Sequence, residues 1–202
     1  MEYYSTGLKS PKVSFKDALF SGLAPDGGLY MPTSIPQLSL DTINSNISYP
    51  ELAFKMIMPF IGDAISNEKL DEICNSAFNF SVPLVKLDDN FYLLELFHGP
   101  TFAFKDFAAR FMARTMEHFM NTETVKRTIL VATSGDTGSA VANGFFKVDG
   151  INVVILYPSK RVSPLQEKQL TTLGENISAL EVSGSFDDCH KLVKKAFLDK
   201  EL

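Results

Sequence analysis

The second half of the chain alternates between short apolar runs and segments with helical spacing. Three runs rich in β-branched residues, 128–132, 152–157 and 177–182, each end in a loop and precede a helical segment. Strands that alternate with helices favour a parallel sheet joined by right-handed crossovers. We therefore predict an open, mainly parallel α/β sheet over residues 91–202. Ligands of such sheets bind beyond the carboxyl ends of the strands.

An amphipathic helix is predicted just before these strands. Its apolar positions recur three and four residues apart, which is the spacing of one helix face: Phe104, Phe107, Ala108, Phe111, Met112, Thr115, Met116 and Phe119. The helices after the three strands are predicted at about 137–147, 163–174 and 185–198.

The first ninety residues are less regular and predict a mixed α+β segment over 1–90. Ser14 followed by Asp17 is typical of a helix N-terminus, and this helix should end near Gly22. A turn rich in glycine and proline follows. The remaining predicted elements are two helices and a hairpin around Asp88-Asp89-Asn90: 50–60, 67–78, and the strands 82–87 and 91–97.

Composition excludes several classes of function. The chain is 45% hydrophobic and 21% charged, as in ordinary soluble proteins. A net charge of −5 is not the basic surface that nucleic acid requires. No apolar run reaches the ~18 residues of a membrane helix, and Cys74 and Cys189 have no metal-ligand spacing. We expect a cytoplasmic protein that binds no nucleic acid, membrane or metal.

Lys105 is the first candidate for chemistry. A lysine that attacks a carbonyl must first lose its proton, which burial among apolar groups and the positive end of a helix both favour. Phe102, Phe104 and Phe107 surround it in sequence, at the predicted start of a helix. The alternative is a surface lysine in a first helical turn.

A second candidate is the run of small residues from Thr133 to Ser139, between a predicted strand and a predicted helix. Small residues let backbone N–H groups approach an anion, and a helix N-terminus favours negative charge. The run matches no nucleotide-binding motif and no nucleophile elbow. The alternative is a capped helix start with Asp136 or Ser134 as the N-cap. Ser185 begins a similar segment, for which N-capping is the simpler interpretation.

Four segments together resemble threonine synthase: GLAPDGGLYMP (22–32), ELFHGPTFAFKD (95–106), ATSGDTGSA (132–140) and VSGSFDDC (182–189). They occur in the family's order and span nearly the whole chain. The resemblance implies a fold-type II pyridoxal-phosphate (PLP) enzyme that converts O-phospho-L-homoserine and water into L-threonine and phosphate.

The resemblance also implies roles for particular residues. Lys105 would form the Schiff base with the cofactor and act as acid and base in proton transfer. Ser134, Gly135, Asp136 and Thr137 would meet the substrate's carboxylate or phosphate and, through Asp136, the cofactor's ring hydroxyl. Ser185 would lie near the substrate phosphate.

The chain departs from the family in two respects. Ser5-Thr6 is followed by Gly7, where family members commonly carry arginine, so that arginine has no counterpart here. Family members also continue for about as many residues again, and the missing half would supply the cradle for the cofactor phosphate, the partner of the ring nitrogen and an arginine-bearing substrate segment. The ending at 199–202 has no closing strand. We therefore expect a fragment that is inactive alone. The alternatives are a non-catalytic module and a related PLP-dependent phospho-lyase.

Overall fold

The computed structural model describes residues 1–39, 46–121 and 125–199. The chain forms two compact units, Met1–Asn79 and Phe80–Leu202. The sequence predicts a division near residue 90, whereas in the structure the hairpin belongs to the second unit. Phe80 at the start of that unit packs edge-on against Phe107, with ring centroids 4.9 Å apart. The expected lack of a closing strand concerns residues 200–202, which lie outside the described residues.

The described residues of the first unit, 1–39 and 46–79, contain three α-helices and a small antiparallel pair of strands. Strand β1 (Tyr3–Ser5) pairs with β2 (Tyr30–Pro32). The helices are α1 (Phe15–Ser21), α2 (Tyr49–Ile61), which leads into a short 3₁₀ turn, and α3 (Asn67–Ala77). Each begins after a serine whose hydroxyl accepts a backbone N–H of the first turn: Ser14, Ser48 and Ser66. The three predicted helices are confirmed, and β1 and β2 are additions.

The second unit opens with an exposed hairpin. Strands β3 (Leu84–Asp88) and β4 (Phe91–Leu94) pair antiparallel around Asp89-Asn90, as predicted, although both are shorter than expected. All four residues of β4 are exposed to solvent. The chain then turns into α4 (Asp106–Met120).

A parallel three-stranded sheet forms the rest of this unit. Its strands β5 (Arg127–Ala132), β6 (Ile151–Pro158) and β7 (Ile177–Val182) stand in that order, with β6 in the centre and most deeply buried. Helices α5 (Asp136–Phe145), α6 (Pro164–Thr171) and α7 (Phe186–Leu198) follow the strands in turn. The predicted α/β class with a parallel sheet is confirmed.

The predicted apolar face of α4 is partly wrong. Phe104 lies before the helix and is exposed, and Ala108 is exposed as well. The buried apolar positions are Ala109, Ala113, Met116, Phe119 and Met120. Small residues are buried here because α4 packs closely against α5: a Cβ atom on Gly144 would lie 3.0 Å from the Ala109 carbonyl.

Candidate functional site

The turn that precedes α4 is closed by a buried carboxylate. Asp106 is inaccessible to solvent and accepts hydrogen bonds from the Thr101 backbone N–H at 2.8 Å and the Thr101 hydroxyl at 2.7 Å. A Cβ atom added to Gly99 would lie 2.5 Å from Asp106 Oδ2, so only glycine fits there. Three residues of the HGPTFAFKD segment therefore hold the turn in shape.

Lys105 lies on this turn as the residue that immediately precedes α4. Its backbone is helical and its side chain is half-buried, with Nζ 4.7 Å from the centroid of the Phe104 ring. Because the adjacent Asp106 carboxylate is bonded to Thr101, it makes no ion pair with Lys105. The turn thus presents the lysine at the predicted place, the start of a helix.

The predicted apolar surroundings of Lys105 are wrong for two of three phenylalanines. Phe102 is 68% exposed and Phe104 is 59% exposed, so neither side chain excludes water from the lysine in this structure. Phe102 also has a positive φ of 61°, which is uncommon for a side chain of this size. Phe107 is half-buried, against Phe80.

A histidine in the same segment was missed by the sequence analysis. His98 stacks on Phe97 with centroids 4.8 Å apart, and its Nε2 lies 2.6 Å from Glu95 Oε2. Glu95 and His98 are three residues apart in a segment that is not a helix, so the sequence does not predict their contact.

The small-residue turn after β5 is organised by one threonine hydroxyl. Thr133 is 1% exposed, and its Oγ1 accepts the backbone N–H groups of Gly135 at 3.0 Å and Gly138 at 2.9 Å. A Cβ atom on Gly138 would lie 2.5 Å from Thr133 Cγ2. Gly135 has φ 147°, a conformation that side chains rarely adopt.

Three N–H groups of this turn remain unpaired. Within the described ranges, the backbone N–H groups of Ser134, Asp136 and Thr137 have no hydrogen-bond partner. The alternative interpretation, with Asp136 or Ser134 as the N-cap, is wrong: Gly135 is the N-cap, and no side chain bonds there as a cap. Of the first three residues of α5, only Gly138 has an N–H group bonded to a described residue, and its acceptor is the buried Thr133 hydroxyl. The helix start therefore keeps free donors where an anion is most favoured.

Asp136 is linked to the next helix by a glutamine that the sequence analysis missed. Gln166 Nε2 donates a hydrogen bond to Asp136 Oδ1, and Gln166 Oε1 accepts one from the Ser163 hydroxyl at 2.9 Å. The spacing of Ser163 and Gln166 is that of a capping box, which signals a helix start but not a contact 30 residues away.

Ser185 is an N-cap, as the simpler interpretation predicted. It forms a capping box with Asp188, whose Oδ2 accepts the Ser185 hydroxyl at 2.7 Å and the Ser185 N–H at 2.9 Å. These bonds from the Ser185 backbone and hydroxyl lower the pKa of Asp188 to about 2.

The carboxyl ends of the strands bring some of these residues together. Asp136, Ser163 and Gln166 are joined by hydrogen bonds at the ends of β5 and β6. In the part of the chain that the structure describes, neither Lys105 nor Ser185 bonds to the 134–138 turn. The same residues contain no cluster of three potential metal ligands, and none of their helices is long and apolar enough to cross a membrane.

Two protein families together match almost the whole chain. Residues 2–78 match "Threonine synthase N terminus", and residues 78–201 match "Pyridoxal-phosphate dependent enzyme". Among curated proteins, threonine synthase of Escherichia coli is 44% identical over 204 residues, covering 100% of this chain and 47% of that protein. Threonine synthase of Saccharomyces cerevisiae is 40% identical, covering 98% and 43%.

Solved structures agree with these matches. PLP-bound threonine synthase from Brucella melitensis superimposes with a TM-score of 0.92 at 42% identity, over 100% of this chain and 45% of that one. The Escherichia coli enzyme gives 0.89 at 44% identity, over 100% and 47%. The chain therefore spans about half the length of the relatives that it matches.

Proposed function

The chain belongs to the pyridoxal-phosphate dependent enzyme family, and from that premise we propose that the complete protein is a threonine synthase. It would convert O-phospho-L-homoserine and water into L-threonine and phosphate, in the cytoplasm. The observation that carries the proposal is identity of 44% over all of this chain to a threonine synthase. The reaction class is that of a PLP-dependent carbon–oxygen lyase.

The residues present suit part of a cofactor site. Lys105 offers an amine for a covalent bond to the cofactor's aldehyde, and Asp136 has one carboxylate oxygen, Oδ2, without a partner among the described residues. The turn at Ser134 offers three unpaired N–H groups for an anionic group. When bound, the cofactor withdraws electrons from the substrate's α-carbon.

Each residue then has a role in the reaction. Phosphate leaves the γ-carbon, so protons must first leave the α- and β-carbons, and Lys105 Nζ is the group that takes and returns them. The N–H groups of Ser134, Asp136 and Thr137, with Gly135 shaping the turn, bind the substrate's carboxylate or phosphate. Ser185 would reach that phosphate only by giving up its bond to Asp188, which makes its contribution the smallest.

The relatives are about twice as long as this chain, and the rest of the site would lie in their additional residues. We infer that it supplies the cradle for the cofactor phosphate, the partner of the ring nitrogen and an arginine for the substrate. The first unit, Met1–Asn79, would then be a mixed α+β segment, and the second, Phe80–Leu202, an incomplete α/β domain. On this view the 202-residue chain is a fragment without turnover.

Two other functions make different predictions. A related PLP-dependent phospho-lyase would release phosphate without forming threonine. A non-catalytic module would bind anions at the turn and leave Lys105 unmodified by PLP. The proportion of threonine to phosphate in the complete protein, and the labelling of Lys105, separate these from a threonine synthase.

Trapping of the cofactor tests the proposed site. The 202-residue chain is incubated with increasing PLP, reduced with borohydride, digested and mapped by mass spectrometry. Lys105 should be labelled at the lowest PLP concentrations, and Lys105→Ala should lose that label while other lysines are labelled as before. Preferential labelling of Lys160, Lys168 or Lys191 would overturn the assignment.

Turnover tests the need for the second half. With PLP and O-phospho-L-homoserine, the 202-residue chain should release neither phosphate nor threonine, because misplacement of reacting groups by even ~1 Å can cost ~10²-fold in rate. Robust turnover by this chain would show that the remaining half is dispensable.

A further inference from the structure

Gln166 is held at both ends of its side-chain amide. Its Nε2 donates to Asp136 Oδ1, while its Oε1 accepts from the Ser163 hydroxyl at 2.9 Å. Its backbone N–H also donates to the Ser163 oxygen at 3.3 Å. Both polar atoms of the amide are therefore committed to one orientation, which points the N–H donor at Asp136.

The fold leaves room for this glutamine at Gly135. A Cβ atom on Gly135 would lie 2.5 Å from Gln166 Oε1 and 2.7 Å from both Cδ and Nε2. The side chain thus lies directly over the glycine, in space that any other residue would fill. Gln166 belongs to α6, so the contact ties the start of that helix to the start of α5.

Only one of the two Asp136 carboxylate oxygens is therefore hydrogen-bonded among the described residues. Asp136 is exposed, Oδ1 is bonded to Gln166, and Oδ2 has no partner among the described residues. Resting on the proposed function, and on the contact of Asp136 with the cofactor's ring hydroxyl that the resemblance to threonine synthase implies, we propose that Gln166 is a positioning residue for that contact. It fixes Asp136 Oδ1 and so directs Oδ2 to the hydroxyl.

An acid titration of the chain without cofactor tests the hold on Asp136. In nuclear magnetic resonance spectra, the side-chain amide protons of Gln166 should shift as the Asp136 carboxylate is protonated. Asp136→Asn should abolish that shift, and the amide of Gln169 on the same helix should not follow it. If the Gln166 amide protons do not shift, or if they shift equally in Asp136→Asn, the proposal is overturned.

Cofactor trapping tests the consequence for the site. Gln166→Met keeps the length of the side chain and removes the donor, and it should raise the PLP concentration for half-labelling of Lys105 about tenfold. Gln169→Met, the matched change on α6, should leave it unaltered. In an Asp136→Ala background, Gln166→Met should add no further loss, because the oxygen that accepts the Gln166 N–H is already gone.

The outcomes separate this proposal from the function on which it rests. An equal loss on Gln166→Met with and without the Asp136 carboxylate would reveal a merely structural glutamine and overturn the proposal alone. Absence of any PLP label on Lys105 in the unmodified chain would overturn the proposed function, and the cofactor role of Gln166 with it. The acid titration needs no PLP and judges the Gln166–Asp136 bond by itself.

Discussion

Two turns of this molecule are rich in glycine and aspartate, yet they satisfy their polar groups in opposite ways. In the first unit, the Asp26 carboxylate accepts the Ser5 hydroxyl at 2.5 Å and the backbone N–H groups of Lys9, Ser10 and Gly28 at 2.9 to 3.0 Å. In the second unit, the Asp136 carboxylate has one partner, and three N–H groups beside it have none among the described residues.

We interpret this difference in hydrogen bonding as that between a turn that stabilises the fold and a turn that can bind a ligand. A carboxylate that collects four donors is saturated, and the Ser5 hydroxyl and the Gly28 N–H lower the pKa of Asp26 well below its usual range. Such a turn stabilises the fold and has no capacity left for a ligand. The turn after β5 keeps donors in reserve at a helix start, which is where a ligand's negative charge is favoured.

The largest expected effect comes from removing the hydroxyl that shapes the turn after β5. Thr133→Val leaves the N–H groups of Gly135 and Gly138 without an acceptor in a buried place, and should lower the free energy of unfolding by about 2–4 kcal/mol. Thr133→Ser keeps the acceptor and should lose far less. Chemical denaturation measures both, and equal losses would show that the methyl group matters rather than the oxygen.

A smaller effect is expected from a methyl group at Gly138. The added Cβ atom of Gly138→Ala would lie 2.5 Å from Thr133 Cγ2 and 2.9 Å from Leu170 Cδ2. Overpacking of this kind costs about 1–3 kcal/mol. In a Thr133→Ser background the first of these atoms is absent, so the same change should cost less; an undiminished cost would place the strain elsewhere.

Particular residues explain why much of this fold could be predicted. The start of α1 was located because its signal is local: Ser14 caps a helix that begins one residue later. The parallel strands were found from their β-branched runs. Strands β1 and β2 were missed because each has three residues and pairs with a partner far away in sequence.

The sequence indicated candidate residues for the site but not the contacts that those residues make. The sequence indicated Lys105 and the 134–138 turn. The alternative N-caps that it offered for α5 are both wrong, because the hydroxyl that bonds the Gly138 N–H belongs to Thr133, five positions earlier. Gln166 bonds to a residue 30 positions away, and Phe102 is exposed with a positive φ. None of these features has a local signature.

The smallest loss of stability among the three substitutions is expected at Asp26, and this loss should depend on pH. Asp26→Asn keeps the shape of the side chain, and solvent screens the lost charge. Because folding lowers the pKa of Asp26, its stabilisation is present above the unfolded-state pKa of about 3.9 and is lost as pH falls further.

The Tm of Asp26→Asn should therefore lie below that of the unmodified chain at pH 7, and the gap should narrow in acid. Asp63→Asn is the matched control, since that exposed carboxylate has no hydrogen bond in the described part of the chain. A gap that widens in acid would contradict the assignment of Asp26 as a saturated structural group.

The most direct test of the central claim is a titration of the 202-residue chain with inorganic phosphate, followed through backbone amide resonances. The account predicts that the amides of Ser134, Asp136 and Thr137 shift in a saturable way, while those of Lys9, Ser10 and Gly28, already bonded to Asp26, do not. Replacing phosphate by chloride at equal ionic strength controls for salt. Equal shifts in both turns, or none after β5, would contradict the account.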